Sequence, residues 1–334
     1  MLHVTNGDGA AEVLRASGVV AGGAASGGEA EGVLPWRDVL HDGPVPASLV
    51  PEELAAVRAS YLAGDGHGAD EGEVRRFFAE RNRRLLAAGE VCLWLEHDVY
   101  DQLQFLEMSA LLDGVTVEDD ERAVFLIAID DHPEVDDFRG LGQLSPDQMA
   151  ALWPQRRRLG RQEISWAARG WQAFRAPRPA ALVEWLEEPA PEGSLVPAAM
   201  TRWLAEYPAV ESGLAHSETV MLRALVAGPL EGHALFKRHL ASGDRLLFGD
   251  TSFALRLAEL AAGELPLVAA DGDGWQASYR LLPAGRQVLD GEVDRVSRAG
   301  IDRWLGGVHL QGRSLPVRWH PGEERLVSES PAGG

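Results

Sequence analysis

Two apolar segments, each followed at once by charged residues, constrain the fold of this chain most. Residues 91–95 and 123–129 contain only apolar side chains, and Glu96 and Asp130 follow them directly. Strands that are apolar on both faces and alternate with helices are typical of a parallel sheet that is covered on both sides. The sequence therefore predicts an α/β fold for the first part of the chain.

Neighbouring segments complete this alternation of strands and helices. Residues 2–5 and 32–36 predict two further short strands. Amphipathic spacing or turn chemistry favours helices at residues 10–16, 51–63, 71–88 and 101–112. We therefore predict a Rossmann-like domain with a mostly parallel sheet over residues 1–145.

The remaining sequence predicts a connector and a second domain. Ser145, Pro146 and Gln148 form a capping box with proline at the first helical position, and they begin a helical connector and linker, rich in tryptophan, over residues 146–194. Further elements are predicted as helices at 217–227, 231–241 and 250–262, strands at 265–269 and 277–282, and a helix after Pro283. This order is typical of a winged helix, so residues 195–334 are predicted to form a mainly helical, winged-helix-like α+β domain with a C-terminal tail.

The charge of the chain disfavours nucleic acid as a partner. The net charge is −20, and residues 1–145 carry 28 acidic side chains against 10 arginines. Residues 217–296 carry eight basic and eleven acidic side chains, and Arg256 is the basic residue of the helix that would read DNA. A DNA reader should present a basic face. The winged-helix-like part is therefore predicted to contact a protein or to have a structural role.

Hydropathy and cysteine usage indicate a cytoplasmic protein that has no membrane partner. No apolar segment approaches the roughly 20 residues that a membrane-spanning helix needs. The first residues lack the pattern of a signal peptide. Cys92 is the single cysteine and lies in an apolar segment, which predicts a buried and unreactive thiol.

Polar side chains follow each strand of the predicted sheet. In open parallel sheets, ligands bind beyond the carboxyl ends of the strands. The residues after the first two strands are Asn6, Asp8, Arg37, Asp38, His41 and Asp42. Those after the next two are Glu96, His97, Asp98, Asp101, Asp130, Asp131 and His132. A parallel sheet would bring these groups together at one edge.

The composition of this edge suits acid–base chemistry or a divalent cation. Crowded carboxylates raise one another's pKa, whereas a nearby cation lowers it. Mixed histidine and carboxylate ligands also suit Mg²⁺, Mn²⁺ or Zn²⁺, although no spacing here matches a known metal motif. The predicted catalytic residues are His41, Glu96, His97 and Asp98. The predicted ligand-binding residues are Asn6, Asp8, Trp36, Arg37, Asp101, Gln102 and Arg303.

Simpler interpretations remain open for several of these residues. Helix capping could be the whole role of Asp8 and Asp101, and residues 130–132 could form an ordinary turn. The segment Glu96 to Asp98 is harder to explain in this way, because three ionisable side chains after an apolar strand are costly to bury unpaired. The Walker, dinucleotide-binding and nucleophile-elbow motifs are absent from the sequence.

Three blocks of sequence resemble a known bacterial family. The segments Leu2–Asp8, Leu34–Pro44 and Trp94–Leu103, in this order, are similar to the bacterial domain-of-unknown-function family numbered 1835. The resemblance covers roughly residues 1–145, and Gly300–Leu310 resembles a tail that is often attached to that domain. It implies a bacterial cytoplasmic protein and implies no activity.

The tail is compatible with two roles. Arg303, Trp304 and His309 could reach back into the N-terminal cleft, or the segment could form a packed strand. Its glycines indicate a sharp turn between a helix end and a strand.

The leading hypothesis is an enzyme or binding protein for a small polar or phosphorylated molecule. Arg37 would clamp an anion, since a planar guanidinium suits that task. His41 or His97 would transfer protons, and Asp98 would orient a histidine or bind a metal ion. The alternative is a regulatory or adaptor protein whose N-terminal domain senses a ligand while the winged helix contacts a protein.

Overall fold

The structure is a computed structural model, and it describes residues 1–20, 32–64, 68–116, 122–242 and 248–328. Its first strands are β1 (Leu2–Thr5), β2 (Val33–Pro35), β3 (Gly43–Pro44), β4 (Glu90–Glu96), β5 (Ala123–Ile129) and β6 (Arg157–Arg158). The helices of this region are α1 (Asp8–Ala16), α2 (Pro51–Ala63), α3 (Glu71–Ala87), α4 (Val99–Thr116), α5 (Pro146–Leu152), α6 (Arg161–Arg175) and α7 (Ala180–Leu186).

The rest of the chain adds helices and short antiparallel strands. The helices are α8 (Val196–Leu204), α9 (His216–Ala224), α10 (Gly232–Leu240), α11 (Asp250–Ala261), α12 (Pro283–Leu289) and α13 (Arg295–Ala299). The strands are β7 (Leu230–Glu231), β8 (Val268–Asp271), β9 (Ser278–Leu281), β10 (Ile301–Gly306), β11 (Val308–Gly312), β12 (Val317–His320) and β13 (Arg325–Ser328).

The central sheet confirms the predicted α/β class. Its strand order is β2-β1-β4-β5-β6, with the first four strands parallel and β6 antiparallel to β5. The chain leaves β1 toward β2 on one side and later returns to place β4 on the other side. The carboxyl ends of β1 and β4 therefore flank the position where the strand order reverses, which is where open α/β sheets form a ligand crevice.

Both faces of the sheet are buried, as the apolar segments predict. Alternate residues of β4 belong to different cores: Leu93 and Leu95 pack on one side, Cys92 and Trp94 on the other. The Cys92 thiol is buried and burial raises its pKa to about 12, in agreement with the prediction of a buried, unreactive cysteine.

Local signals fixed several helix boundaries. The predicted capping box at the start of α5 is confirmed, since Ser145 Oγ accepts from the Gln148 N–H at 3.2 Å and the Gln148 side chain accepts from the Ser145 N–H at 2.9 Å. At the start of α4 the capping residue is Asp98, whose Oδ1 accepts from the Asp101 N–H at 2.8 Å. Asp101 lies inside the helix, so the alternative that it caps α4 is wrong. Asp8 makes no side-chain cap at α1 either.

The connector differs from the prediction of a largely continuous helical segment. It contains α5, α6 and α7, but β6 interrupts it and extends the central sheet. The helix α8 was not predicted, although its buried residues recur at helical spacing. They are Val196, Ala199, Met200, Trp203 and Leu204.

The C-terminal region packs on the N-terminal region through its tail. β10 and β11 form an antiparallel hairpin, and β10 also pairs in parallel with β3. Gly306 and Gly307 at the turn lie against the backbone of Phe174 and Arg175, where a side chain would overlap the carbonyl groups. The tail segment that contains Trp304 and His309 therefore forms a packed hairpin.

Of these two cores, the one that contains Leu93 and Leu95 extends across both regions, from Leu2 to Trp319. Among these segments, none of the helices combines the length and the apolar character that crossing a membrane requires.

Candidate functional site

Three buried carboxylates lie together at the crevice. Glu96 ends β4, Asp98 caps α4 and Asp101 lies in the first turn of α4. One side-chain oxygen of each residue lies within 4.8 Å of the others. We call these three residues the carboxylate cluster.

Hydrogen bonds hold the cluster against the end of β1. The Asn6 Nδ2 group donates to Glu96 Oε1 and to Asp101 Oδ1, both at 2.9 Å. Asp101 Oδ2 accepts from the Glu96 backbone N–H at 2.6 Å. Gln102 donates to the Glu96 carbonyl oxygen. Residues that follow β1 and β4 thus meet as the parallel sheet predicts.

The cluster lacks the cationic partners that other buried acids have. In the described part of the chain, Asp38 pairs with Arg58 and Glu107 pairs with Arg81, each at 2.7 Å. Over the same residues, no arginine, lysine or histidine forms an ion pair with the carboxylate cluster. Burying several carboxylates without a cation is unfavourable, so the protein must protonate the cluster or bind a positive group.

Burial and mutual repulsion raise the pKa values of the cluster. Burial, followed by the charge of Asp98, raises the pKa of Glu96 to about 8. Burial raises the pKa of Asp98 to about 7, against the lowering effect of its backbone hydrogen bonds. Burial and the two neighbouring carboxylates also raise the pKa of Asp101 well above its usual value. The pKa values of Glu96 and Asp98 therefore lie near neutral pH, the range in which general acid–base groups work.

The segment after β5 covers the cluster. The Leu141 backbone N–H donates to Glu96 Oε1. A side chain at Gly140 would overlap the Glu96 carboxylate, whereas Gly142 has space and lies beside Gly9. His97 lies on the same side, with its ring 6.5 Å from that of Phe138.

Arg37, the residue that the sequence predicts as an anion clamp, pairs with Asp8 beyond the end of β1. The Arg37 and Asp8 side chains form an ion pair at 2.5 Å, and both are about half exposed. The Arg37 guanidinium also lies 5.0 Å above the Phe77 ring. Solvent screens such a pair, so Arg37 can exchange Asp8 for another anion at little cost.

His41 lies outside the carboxylate cluster in an aromatic environment. Its ring centre is 6.0 Å from that of Tyr100 and 5.4 Å from that of Phe248, and neither ring nitrogen has a hydrogen-bond partner. Burial lowers its pKa, while the nearby Asp42 carboxylate opposes this effect. Tyr100, the residue between His41 and the cluster, has its pKa raised by burial and then by Asp101.

Two further candidates, Trp36 and Arg303, have partners outside the carboxylate cluster. Trp36 is fully buried, and its indole N–H donates to Glu107 Oε2 at 2.7 Å. Arg303 pairs with Glu218 and Glu259 in the C-terminal region. Of the predicted site residues, the structure gathers Asn6, Glu96, Asp98, Asp101 and Gln102, places His97, Asp8 and Arg37 nearby, and does not bring Trp36, His41 or Arg303 to the cluster.

Residues 130–132 lead into a turn over residues 132–135, in which the Val135 N–H donates to the His132 carbonyl oxygen at 3.0 Å. Asp131 Oδ1 accepts from the His132 N–H at 2.8 Å, and His132 Nδ1 accepts from the Glu134 N–H at 3.3 Å. Sequence reasoning missed Gly140 and Leu141. They lie about 45 residues from Glu96 and carry no chemical group that would indicate a site.

The cluster offers the oxygen ligands that hard divalent cations prefer. A cation would also supply the missing positive charge. No protein-family model matches the chain, and comparison with curated proteins likewise gives no match. The resemblance to the family numbered 1835 therefore stays an expectation.

Proposed function

We propose that this chain binds a small polar or phosphorylated molecule in the crevice at the carboxyl ends of β1 and β4. One observation carries the proposal: three buried carboxylates without a cationic partner lie at the point where the strand order reverses. Uncompensated buried charge is costly, and perturbed carboxyl groups in a crevice are typical of functional sites.

The side chains divide into two roles within this proposal. Asp98 and Glu96 exchange protons with the bound molecule, because their pKa values lie near neutral pH. Arg37 donates hydrogen bonds to an anionic group of the ligand, which replaces Asp8 as its partner. Asn6 fixes the positions of Glu96 and Asp101.

A divalent cation is the alternative means of compensating the cluster. Glu96, Asp98 and Asp101 would then each supply one oxygen, and the cation would recognise a phosphate or a hydroxyl group of the ligand. Proton exchange and cation binding exclude each other at the same oxygen, so pH and metal dependence separate the two forms of the proposal.

A thermal-shift screen tests the proposal. The wild-type protein is measured with Mg²⁺, Mn²⁺, Zn²⁺, nucleotides and sugar phosphates, in parallel with Asp98→Asn. A ligand at about 100 times its Kd should stabilise the protein by about 2.7 kcal/mol, a shift of a few degrees. We expect a shift in wild type that Asp98→Asn abolishes.

The matched control is Asp290→Asn, an exposed carboxylate that pairs with Arg286 on α12. Its shifts should equal those of wild type. If no compound stabilises wild type, or if Asp98→Asn keeps every shift, the proposed site is wrong.

A second candidate function is an adaptor that contacts another protein through its C-terminal region. The order α9, β7, α10, α11, β8, β9 and the sheet order β7-β9-β8 support a winged helix. The surplus of acidic side chains in residues 217–296 supports a protein contact over a DNA contact. In this second form of the proposal, the crevice senses the ligand and the C-terminal region contacts the protein partner. We also propose that the chain belongs to the family numbered 1835 and is located in the cytoplasm.

A further inference from the structure

A cavity separate from the carboxylate cluster is lined by residues of both the N-terminal and the C-terminal regions. It has a volume of about 990 Å³ and lies between α2, the segment at β3, α11 and the β10–β11 hairpin. Asn6, Glu96, Asp98 and Asp101 do not line it. We call this cavity the hairpin groove.

Aromatic rings line the hairpin groove. Trp304 and His309 face each other across the β10–β11 hairpin, and their rings stack at 4.5 Å with an angle of 4° between the planes. The His309 Nε2 atom lies 2.6 Å from Asp302 Oδ1, which fixes the orientation of the ring. Tyr61 adds a third aromatic ring from α2. The groove therefore offers flat apolar surfaces to the carbon skeleton of a ligand.

In the hairpin groove, two of the carboxylates are more exposed to solvent than the two arginines. Glu259 and Asp302 have side chains that are 51% and 68% exposed, whereas the side chains of Arg256 and Arg303 are 8% and 11% exposed. The negative groups thus meet an incoming ligand first.

The buried arginines already have anionic partners. Arg303 Nη2 donates to Glu218 Oε1 at 2.6 Å and to Glu259 Oε2 at 2.8 Å. Arg256 Nη1 donates to Glu259 Oε2 at 2.8 Å, and its Nη2 lies 3.4 Å from Asp42 Oδ1. An anionic ligand would have to compete with these partners. Both arginines contact Oε2 of Glu259, so within the described residues Oε1 of Glu259 and the exposed Asp302 carboxylate are the acceptors that no arginine contacts.

We propose that the hairpin groove binds a small organic cation, such as an oligoamine. Its ammonium groups lie at Asp302 and Glu259, and its methylene chain lies on the rings of Trp304, His309 and Tyr61. An ammonium group gains from both carboxylates and aromatic faces. The net charge of −20 draws cations toward the protein from a distance. This inference is independent of the function proposed for the crevice.

Isothermal titration calorimetry with spermidine and agmatine tests this inference. The full-length protein is titrated at about 0.15 M salt, where nonspecific attraction by the net charge is screened. We expect saturable binding with one site per chain, and no binding of the dianion succinate.

Asp302→Asn is the decisive variant, because the residue is exposed and its side-chain hydrogen bonds within the described residues are those with His309 and Gln311. Losing one charge-assisted hydrogen bond should weaken binding about tenfold or more. Asp290→Asn removes one exposed carboxylate elsewhere and should bind as wild type does. If Asp302→Asn lowers the melting temperature, Trp304→Leu serves as a second variant and should also weaken binding.

Three results would overturn the inference. One is the absence of saturable heat from any amine. Another is equal binding by Asp302→Asn and Asp290→Asn, which would indicate attraction by net charge alone. The third is a basic peptide that binds while both small amines do not, which would assign the groove to a protein partner.

Discussion

Asp98 has two structural tasks that favour opposite protonation states. As the cap of α4 it accepts from the Asp101 N–H, and this contact favours the ionised form. Burial favours the protonated form and dominates, so its pKa rises to about 7. A small change of environment, such as a bound ligand, can therefore change its charge at neutral pH.

The raised pKa of Asp98 predicts a specific pH dependence of stability. Its pKa in the folded chain lies above the unfolded value of about 3.9, so ionisation penalises folding progressively as pH rises from about 4 to about 7. Asp98→Asn keeps a good helix cap and removes the charge. It should raise the free energy of unfolding at pH 8 by about 1–3 kcal/mol, and change it little at pH 5.

Urea unfolding at the two pH values measures this effect, with Asp290→Asn as the control. Parallel pH profiles for wild type and Asp98→Asn would contradict the assignment of Asp98 as an uncompensated buried acid.

Asn6→Asp should have the opposite effect. The substitution replaces the amide that donates to Glu96 and Asp101 with a fourth carboxyl group. We expect destabilisation by about 1–3 kcal/mol at pH 8, and less at pH 5 where protonation restores a donor. Thermal unfolding of Asn6→Asp and Asn6→Ala at both pH values measures it. If the aspartate and alanine variants have the same pH dependence, the contact of Asn6 with ionisable carboxyls is not important for stability.

The sequence predicted correctly those site residues whose position follows from the direction of the strands. Asn6, Glu96 and Asp98 meet because parallel strands end at one edge. Trp36 also follows a strand, but its side chain enters the core toward Glu107, a partner 71 residues away. Sequence adjacency to a strand end indicates the edge of the sheet, whereas the direction of a side chain depends on packing with distant residues.

At the scale of elements, local chemistry predicted helices better than it predicted pairing. The bounds of α2 match the prediction, and those of α3 differ by one residue. The antiparallel β6 and the pairing of β10 with β3 depend on contacts between distant segments, which short-range patterns do not encode. The helix α8 was missed despite the helical spacing of its buried residues.

The segment that covers the cluster gives a prediction at the element scale. A methyl group at Gly140 would overlap the Glu96 carboxylate, whereas one at Gly142 would make an ordinary contact 3.7 Å from Ala10 N. Gly140→Ala should therefore destabilise the protein by about 1–3 kcal/mol and displace the Leu141 hydrogen bond. Gly142→Ala is the matched control. Chemical denaturation of both variants measures the difference, and equal stability would show that the cover does not close on Glu96.

At the scale of the whole molecule, the C-terminal region supports the N-terminal sheet region. β10 pairs with β3, Phe248 packs on His41, and Arg256 approaches Asp42. The predicted boundary near residue 195 remains a prediction. These contacts nevertheless mean that separation would expose apolar surface and a buried histidine.

A fragment of residues 1–194 should therefore unfold at a lower temperature than the full chain and bind a hydrophobic dye. Loss of the continuous core removes buried apolar area at about 25 cal/mol per Å². Circular dichroism and dye fluorescence measure both effects. A fragment that melts at the same temperature without binding dye would indicate two independent units.

The most direct test of the account is a titration of the side-chain carboxyl carbons by nuclear magnetic resonance, with Glu96→Gln and Asp98→Asn used for assignment. We expect the cluster to contribute carboxyl signals with apparent pKa values above about 6, and each substitution to remove one of them. Titration of every Asp and Glu signal below about pH 5 would contradict the claim that an uncompensated carboxylate cluster lies at the crevice.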